Sequence, residues 1–262
     1  MAKHRAGDRR APGFWPLATL FGLFVLFLYG PVITIFVLSF QGPGGGLTFP
    51  MQGWSTHWYQ SLWQGLGVVD ISAALKRSLG LGTVVMVCTV LLSLGAGLAF
   101  RKRLAGANAL FYATVASLIM PSIIISLGIG LQFRLIDGAI KALLGALGAA
   151  LGADHALETF NTSLGLYTSG LGAHLTWTLP FGLLIMFAVF NRFNPAYEEA
   201  ARDQGATAWQ TVRHVVIPII GPSLIGVALF GFTLSYDEFA RTLLTAGSYN
   251  TLPLEIYGMT TN

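Results

Sequence analysis

Apolar residues in this chain come in runs far longer than a soluble core helix uses. Pro16 to Phe40 is 25 uncharged, largely apolar residues, and about 20 are enough to cross a bilayer. A secretory signal would have an apolar core of only about 7–15 residues ending at small residues. This run continues through Tyr29-Gly30-Pro31 and reads as a retained span. Further apolar runs follow at 78–100, 104–133, 164–190 and 219–239. The pattern predicts an all-α, polytopic membrane protein with five clear spans in one transmembrane domain over 1–262. Ser93 and Gly97, four apart in the second span, offer a small face for close helix contact.

The segments between the runs differ in character. Gln41 to Lys76 is Gly-rich at 42–46 and then aromatic, with Trp54, Trp58, Tyr59 and Trp63, which suits the membrane–water interface. Residues 134–163 form an Ala/Gly/Leu-rich insertion holding Lys141, Asp154 and His155. It reads as a partly helical piece lying on the outer surface, with a full extra span as the competing reading. Asn194 to Pro222 is the longest water-compatible stretch in the second half, and Arg241 to Asn262 reads as a polar loop.

Composition agrees with a membrane setting. Of 262 residues, 54% are hydrophobic and 10% charged, against about 25% charged in soluble domains. The net charge of +4 is spread along the chain and forms no nucleic-acid patch. Placement carries more information. With the N-terminus inside, inner segments hold Lys3, Arg5, Arg9, Arg10, Arg101, Lys102, Arg103, Arg192, Arg202 and Arg213; outer ones hold Lys76, Arg77, Arg134, Lys141 and Arg241. That bias fits the positive-inside rule and puts the 194–222 loop in the cytoplasm. An extra span within 134–163 would put it outside. Cys88 is the only cysteine and the five histidines lack ligand-like spacing, so the sequence offers no metal site. None of the four lysines is followed by Ser or Thr, so the chain carries no P-loop and no cofactor site is expected.

The 194–222 loop has the local chemistry of helix, turn, helix. Asn194 suits an N-cap and Pro195 the first helical position, with Glu198 and Glu199 where the helix dipole favours negative charge. Gly205 suits a left-handed stop. Thr207 and Gln210 have capping-box spacing and open a second short helix, and Pro218 closes the segment. An ordinary solvated loop would show the same caps. The spacing Glu199-Ala200-Ala201, Gly205, Val215-x-Ile217-Pro218 resembles the EAA---G---------I-LP signature of ABC-importer permeases, with Val215 for the usual Ile and Ile217 for the usual Leu. The resemblance implies a cytoplasmic coupling loop, 194–218, whose residues Glu199, Ala200, Ala201, Asp203, Gly205, Ala206, Val215, Ile217 and Pro218 dock on an ATPase subunit.

Asp237 and Glu238 form the second candidate site. Nineteen residues past Pro218 is roughly 28 Å along a helix, near the outer end of the fifth span. Carboxylates there either pair with Arg241, three or four residues on, or face a path for a cation. Residues 233–239 and 247–257, with Met120-Pro121 in the third span, resemble permease subunits of spermidine/putrescine importers, most nearly the second one. That resemblance implies a bacterial inner-membrane permease working with a homologous permease chain, two ATPase subunits that bind the ATP, and an external solute-binding protein. It also implies a substrate path near Pro121, Tyr236, Asp237 and Glu238, and a sixth span after Tyr257. Pro121, Pro180 and Pro222 each remove a helix hydrogen bond, which suits a path or simple packing kinks. Permeases for amino acids or sugar derivatives, a secondary transporter, and a non-transporting scaffold remain alternatives.

Overall fold

The computed structural model describes residues 13–64, 70–101, 106–151, 160 and 162–261. The basic stretch Lys3–Arg10, Lys102, Arg103, Asp154 and His155 lie outside the described residues. The chain divides into two compact units, Met1–Val68 and Val69–Asn262. The physical reason is visible in α1 (Phe14–Leu38), which buries only Leu38 against protein. A helix apolar all round with its surface unburied is suited to lipid.

After α1 the first unit is organised by Gln41, which is 3% exposed. Its amide donates to the carbonyls of Gly46 (3.0 Å) and Thr48 (3.3 Å) and accepts from the Gln52 N–H at 2.7 Å. One buried side chain thereby pairs three backbone groups of a Gly-rich loop whose ends are joined by an antiparallel bridge between Gln41 and Trp54. The Phe40 ring packs against Trp54 and Tyr59, and Tyr59 belongs to α2 (His57–Gln64).

In the second unit α3 (Ile71–Phe100) begins seven residues before the expected span at Ser78. Asp70 caps it, accepting from the Ala73 N–H at 2.9 Å. Hydrogen bonds from Ala73 and Ser72 hold the Asp70 carboxyl below its ordinary pKa of 3.8. The cap is therefore complete above that value and is lost only as pH falls through the lowered one. Lys76 and Arg77, read as loop charges, lie in the first two turns, where Arg77 donates to the Asn250 carbonyl at 2.7 Å.

The third apolar run, expected as one span over 104–133, is two helices. α4 (Ala107–Ile119) ends at Met120 with ψ 131°, and α5 (Ser122–Leu151) starts after Pro121. The proline ring excludes the helical conformation from the residue before it, so the break falls at Met120. α5 continues unbroken past Arg134, making 139–151 of the insertion helical; 152–159 and 161 lie outside the described residues. Asp137, midway along α5, accepts from Thr162 Oγ1 (2.6 Å) and the Ser163 N–H (2.7 Å), tying the returning chain to the helix.

A π-helical turn (Leu166–Gly170) leads into α6 (Leu171–Arg192). Beyond the loop, α7 (Ala196–Asp203) is followed by α8 (Ala208–Thr211), a π turn (Val212–Val216) and α9 (Ile217–Tyr236). The last three form one helical segment, Ala208–Tyr236, so Pro218 does not close a separate short helix. The wide turn before it accommodates a residue that has no N–H and crowds the carbonyl four back. α10 (Ala240–Leu243) and α11 (Leu252–Thr261) occupy the terminal segment expected as a polar loop. Five helical segments among the described residues are long and apolar enough to cross a membrane, and α4 is a shorter apolar helix.

α3, α6 and α9 form the core through small residues. A Cβ built on Gly182 of α6 would lie 2.2 Å from Ser93 Oγ, and one on Gly97 of α3 would lie 2.6 Å from the Phe190 ring. Thr89 and Thr178 share a buried hydrogen bond of 2.8 Å, and Met186, Phe190, Val216, Ile220 and Val227 form the adjoining apolar cluster. Gly182→Leu is expected to force α3 and α6 apart and lower the thermal unfolding midpoint in detergent, at a cost of about 1–3 kcal/mol. Gly221→Leu, where an added Cβ meets nothing within 4 Å, should leave it nearly unchanged.

Candidate functional site

The loop between α6 and α9 is built by short-range caps. Asn194 Oδ1 accepts from the Ala196 N–H at 3.0 Å, and Glu198 and Glu199 occupy the first turn of α7. At its other end the Gly205 N–H donates to the Arg202 carbonyl (2.8 Å) and the Ala206 N–H to the Ala201 carbonyl (3.1 Å). Gly205 itself has φ +83°. These are the two bonds and the left-handed residue of a Schellman stop. The capping box follows at once: Gln210 Oε1 accepts from the Thr207 N–H at 2.8 Å, and Thr207 Oγ1 from the Gln210 N–H at 3.3 Å. These reciprocal caps pair the Gly205, Ala206, Thr207 and Gln210 N–H groups and fix the shape of the reversal.

The reversal brings Ala200, Ala201, Gly205, Ala206 and Val215 to one open cavity of about 580 Å³, with Tyr197 and His214 at its sides. Small side chains keep the groove open. Glu199 and Asp203 are exposed on α7, Ile217 is half-buried, and Pro218 is exposed in the first turn of α9. Trp209, in α8, is 66% exposed.

Sequence reasoning missed the anchor beneath the loop. Arg101, at the end of α3, forms an ion pair with Glu198 of α7, and its guanidinium stands 5.7 Å over the Phe190 ring. Glu198 Oε2 is also 3.8 Å from Arg202 Nη2. Burial, and then the nearby positive charge of Arg202, lower the Arg101 pKa from its ordinary value. The partners lie 97 residues apart, so no local pattern reveals them.

The second candidate site centres on Arg241, which is 0% exposed. Its Nη1 donates to Thr176 Oγ1 (2.5 Å) and Nη2 to Ser122 Oγ (3.3 Å). The guanidinium lies 5.0 Å over the Trp177 ring. Glu238 faces it twice, with Oε2 3.9 Å from Nε and Oε1 accepting the Arg241 N–H at 3.0 Å. Beside this group, the buried His174 meets Ser235 Oγ (2.8 Å) and Thr242 Oγ1 (3.0 Å) through its two ring nitrogens. The hydroxyls of α5 and α6 and the charge of Glu238 offset the burial of Arg241, although its Nε is left without a hydrogen bond.

This geometry separates the two adjacent carboxylates. Glu238 takes the pairing reading, while Asp237 is exposed and lines an open cavity of about 590 Å³ with Trp177, Thr233, Tyr236 and Glu238. Pro121 is placed one residue before Ser122, at the α4–α5 break, and is not among the residues lining that cavity. Among the described residues no cluster of three His, Cys, Asp or Glu side chains could hold a metal.

The profile of the "Binding-protein-dependent transport system inner membrane component" family matches residues 90–262. The spermidine/putrescine transport system permease protein PotC of Escherichia coli K12 is 27% identical over 235 residues, spanning 89% of this chain and 78% of that protein. The putrescine transport system permease protein PotI of the same strain is 28% identical over 240 residues, 88% of this chain and 75% of that protein. A crystal structure of a bacterial ABC transporter involved in import of the acidic polysaccharide alginate superposes with TM-score 0.60 and 18% identity, over 100% of this chain and 83% of the matched chain.

Proposed function

This chain belongs to the binding-protein-dependent transport system inner membrane components, and on that premise we propose that it is the permease subunit through which an ABC importer passes a polyamine. As a family member it is a multi-pass inner-membrane transport component that works with an ATPase and a binding protein. Beyond that, our reading gives it a cytoplasmic N-terminus, a homologous permease partner, two ATPase subunits gripping the 194–218 loop, and an external solute-binding protein. The observation that carries the proposal is the loop geometry. A reversal capped on both sides presents the signature's small residues around one groove, and Arg101–Glu198 ties that groove to α3, a core helix. Movement imposed on α7 is thereby passed to the membrane core.

The polyamine is supported by the names of the relatives and by Asp237, a free carboxylate in an open cavity beside the Trp177 ring, which suits an alkylammonium. That the relevant carboxylate is Asp237 and not Glu238 follows from the pairing of Glu238. A permease for a neutral sugar derivative would share the loop but brings no ammonium to an unpaired acid there.

The test is biochemical. The purified chain alone should release no phosphate from ATP, and a P-loop protein should co-purify with it through the 194–218 loop. Persistent ATP turnover by the isolated chain, or capture of the ATPase by a variant with that loop replaced, contradicts the proposal.

A further inference from the structure

A cavity of about 810 Å³ opens where α3 ends, α4 begins and α6 ends, beside the coupling loop but apart from its groove. Its walls are aromatic: Phe100 and Phe187 meet edge to face at 4.7 Å, and Phe111 packs on Phe187 at 5.7 Å. Its polar rim is Arg101, Asn108 and Asn191. Arg101 Nε is buried and has no hydrogen-bond partner, and among the described residues no acid lines the cavity. The first residues of α4, Ala107 and Asn108, line it as well, and α4 has no side-chain cap, so its N-terminal amides add positive potential.

We propose that this cavity binds one anionic phospholipid of the adjacent leaflet, the phosphate held by Arg101, Asn108 and Asn191 and an acyl chain lying on the three phenylalanines. The cavity lies at the ends of membrane-spanning helices, which is where headgroups are, so the site is continuous with the bilayer interface. Basic pockets between such helices are suited to acidic headgroups. Charge favours an anion over a zwitterion, because Glu198 is shared between Arg101 and Arg202 and Arg101 is the charged group among the described residues lining the cavity itself. A soluble phosphate would leave the aromatic wall in water, whereas a lipid covers both. Since Arg101 also holds Glu198, the bound headgroup bears directly on the anchor of α7. The leaflet, and this link to coupling, rest on the function proposed above; the binding site does not.

The experiment uses the full-length chain in detergent with equimolar palmitoyl-oleoyl phosphatidylglycerol and phosphatidylcholine, read by native mass spectrometry. One phosphatidylglycerol should be retained over phosphatidylcholine by roughly tenfold, the scale of one charge-assisted hydrogen bond. Asn108→Asp with Asn191→Asp, both exposed positions that leave Arg101–Glu198 intact, should abolish the preference, as should Arg101→Gln. Glu198→Gln, which frees Arg101, should keep it. Equal binding of the two lipids by the parent, or a preference that survives the double Asp variant, overturns the site. Displacement by millimolar glycerol phosphate would assign it to a free anion and overturn the lipid; failure to displace supports it. Transport is not measured, so either result leaves the importer reading standing.

Discussion

Glu238→Gln is expected to destabilise the protein by about 3 kcal/mol, the scale of breaking a buried ion pair, whereas Asp237→Asn should cost close to nothing. Arg241 is wholly buried, and the variant leaves its guanidinium facing neutral groups, the Ala173 carbonyl, the Thr176 and Ser122 hydroxyls and the Trp177 ring. Asp237 is exposed and holds nothing in place. Denaturant unfolding in mixed micelles, followed by helical signal, separates the two. Adding Arg241→Gln to Glu238→Gln should recover part of the loss, because the orphaned charge is then gone. Equal destabilisation by both single variants would mean that the carboxylates share one role. Transport should sort them the other way: Asp237→Asn lowers polyamine uptake at unchanged expression. That defect should vary with salt, since a partly exposed site is screened within about 10 Å at 0.1 M.

The second large effect is on coupling and not on stability. Gly205 has φ +83° and an added Cβ meets nothing within 4 Å, so Gly205→Val clashes with no neighbour and costs only backbone strain, about 1 kcal/mol or more. That strain is relieved most cheaply by letting the Schellman stop open. Opening it releases the Ala201 and Arg202 carbonyls and rotates α7 against the capping box. The chain should still insert and fold, while ATPase docking weakens and hydrolysis no longer drives uptake. Normal assembly with normal transport in Gly205→Val would exclude the loop as the coupling element.

What could be read from the sequence follows the range of the interactions involved. The shape of the 194–218 loop was legible because it depends on residues two to five apart: the Asn194 cap, the left-handed Gly205 and the Thr207–Gln210 box are local chemistry. Its anchor was not, since Arg101 and Glu198 meet only after α3 and α6 have packed. The small face at Ser93 and Gly97 was visible from spacing, and it does bury against Gly182 and Phe190. The start of α3 is hidden in the sequence because Lys76 and Arg77 look like loop residues until Asn250 supplies an acceptor for Arg77. The third run shows unbroken hydropathy across Met120-Pro121, and hydropathy does not register a backbone break. Pairing of Arg241 with Glu238 was foreseeable from i,i+3 spacing. Its complete burial was not, because it depends on hydroxyls at Ser122 and Thr176 from two other helices.

The central claim is that this chain forms the path of an ATP-driven polyamine importer. Its most direct test is uptake of labelled putrescine and spermidine into vesicles that contain the chain, its permease and ATPase partners and the binding protein, with ATP inside. The account predicts uptake that requires ATP and the binding protein, is lost in Gly205→Val, and is strongly reduced in Asp237→Asn. Uptake that proceeds without ATP, or that is unchanged when Asp237 is neutralised, would contradict it.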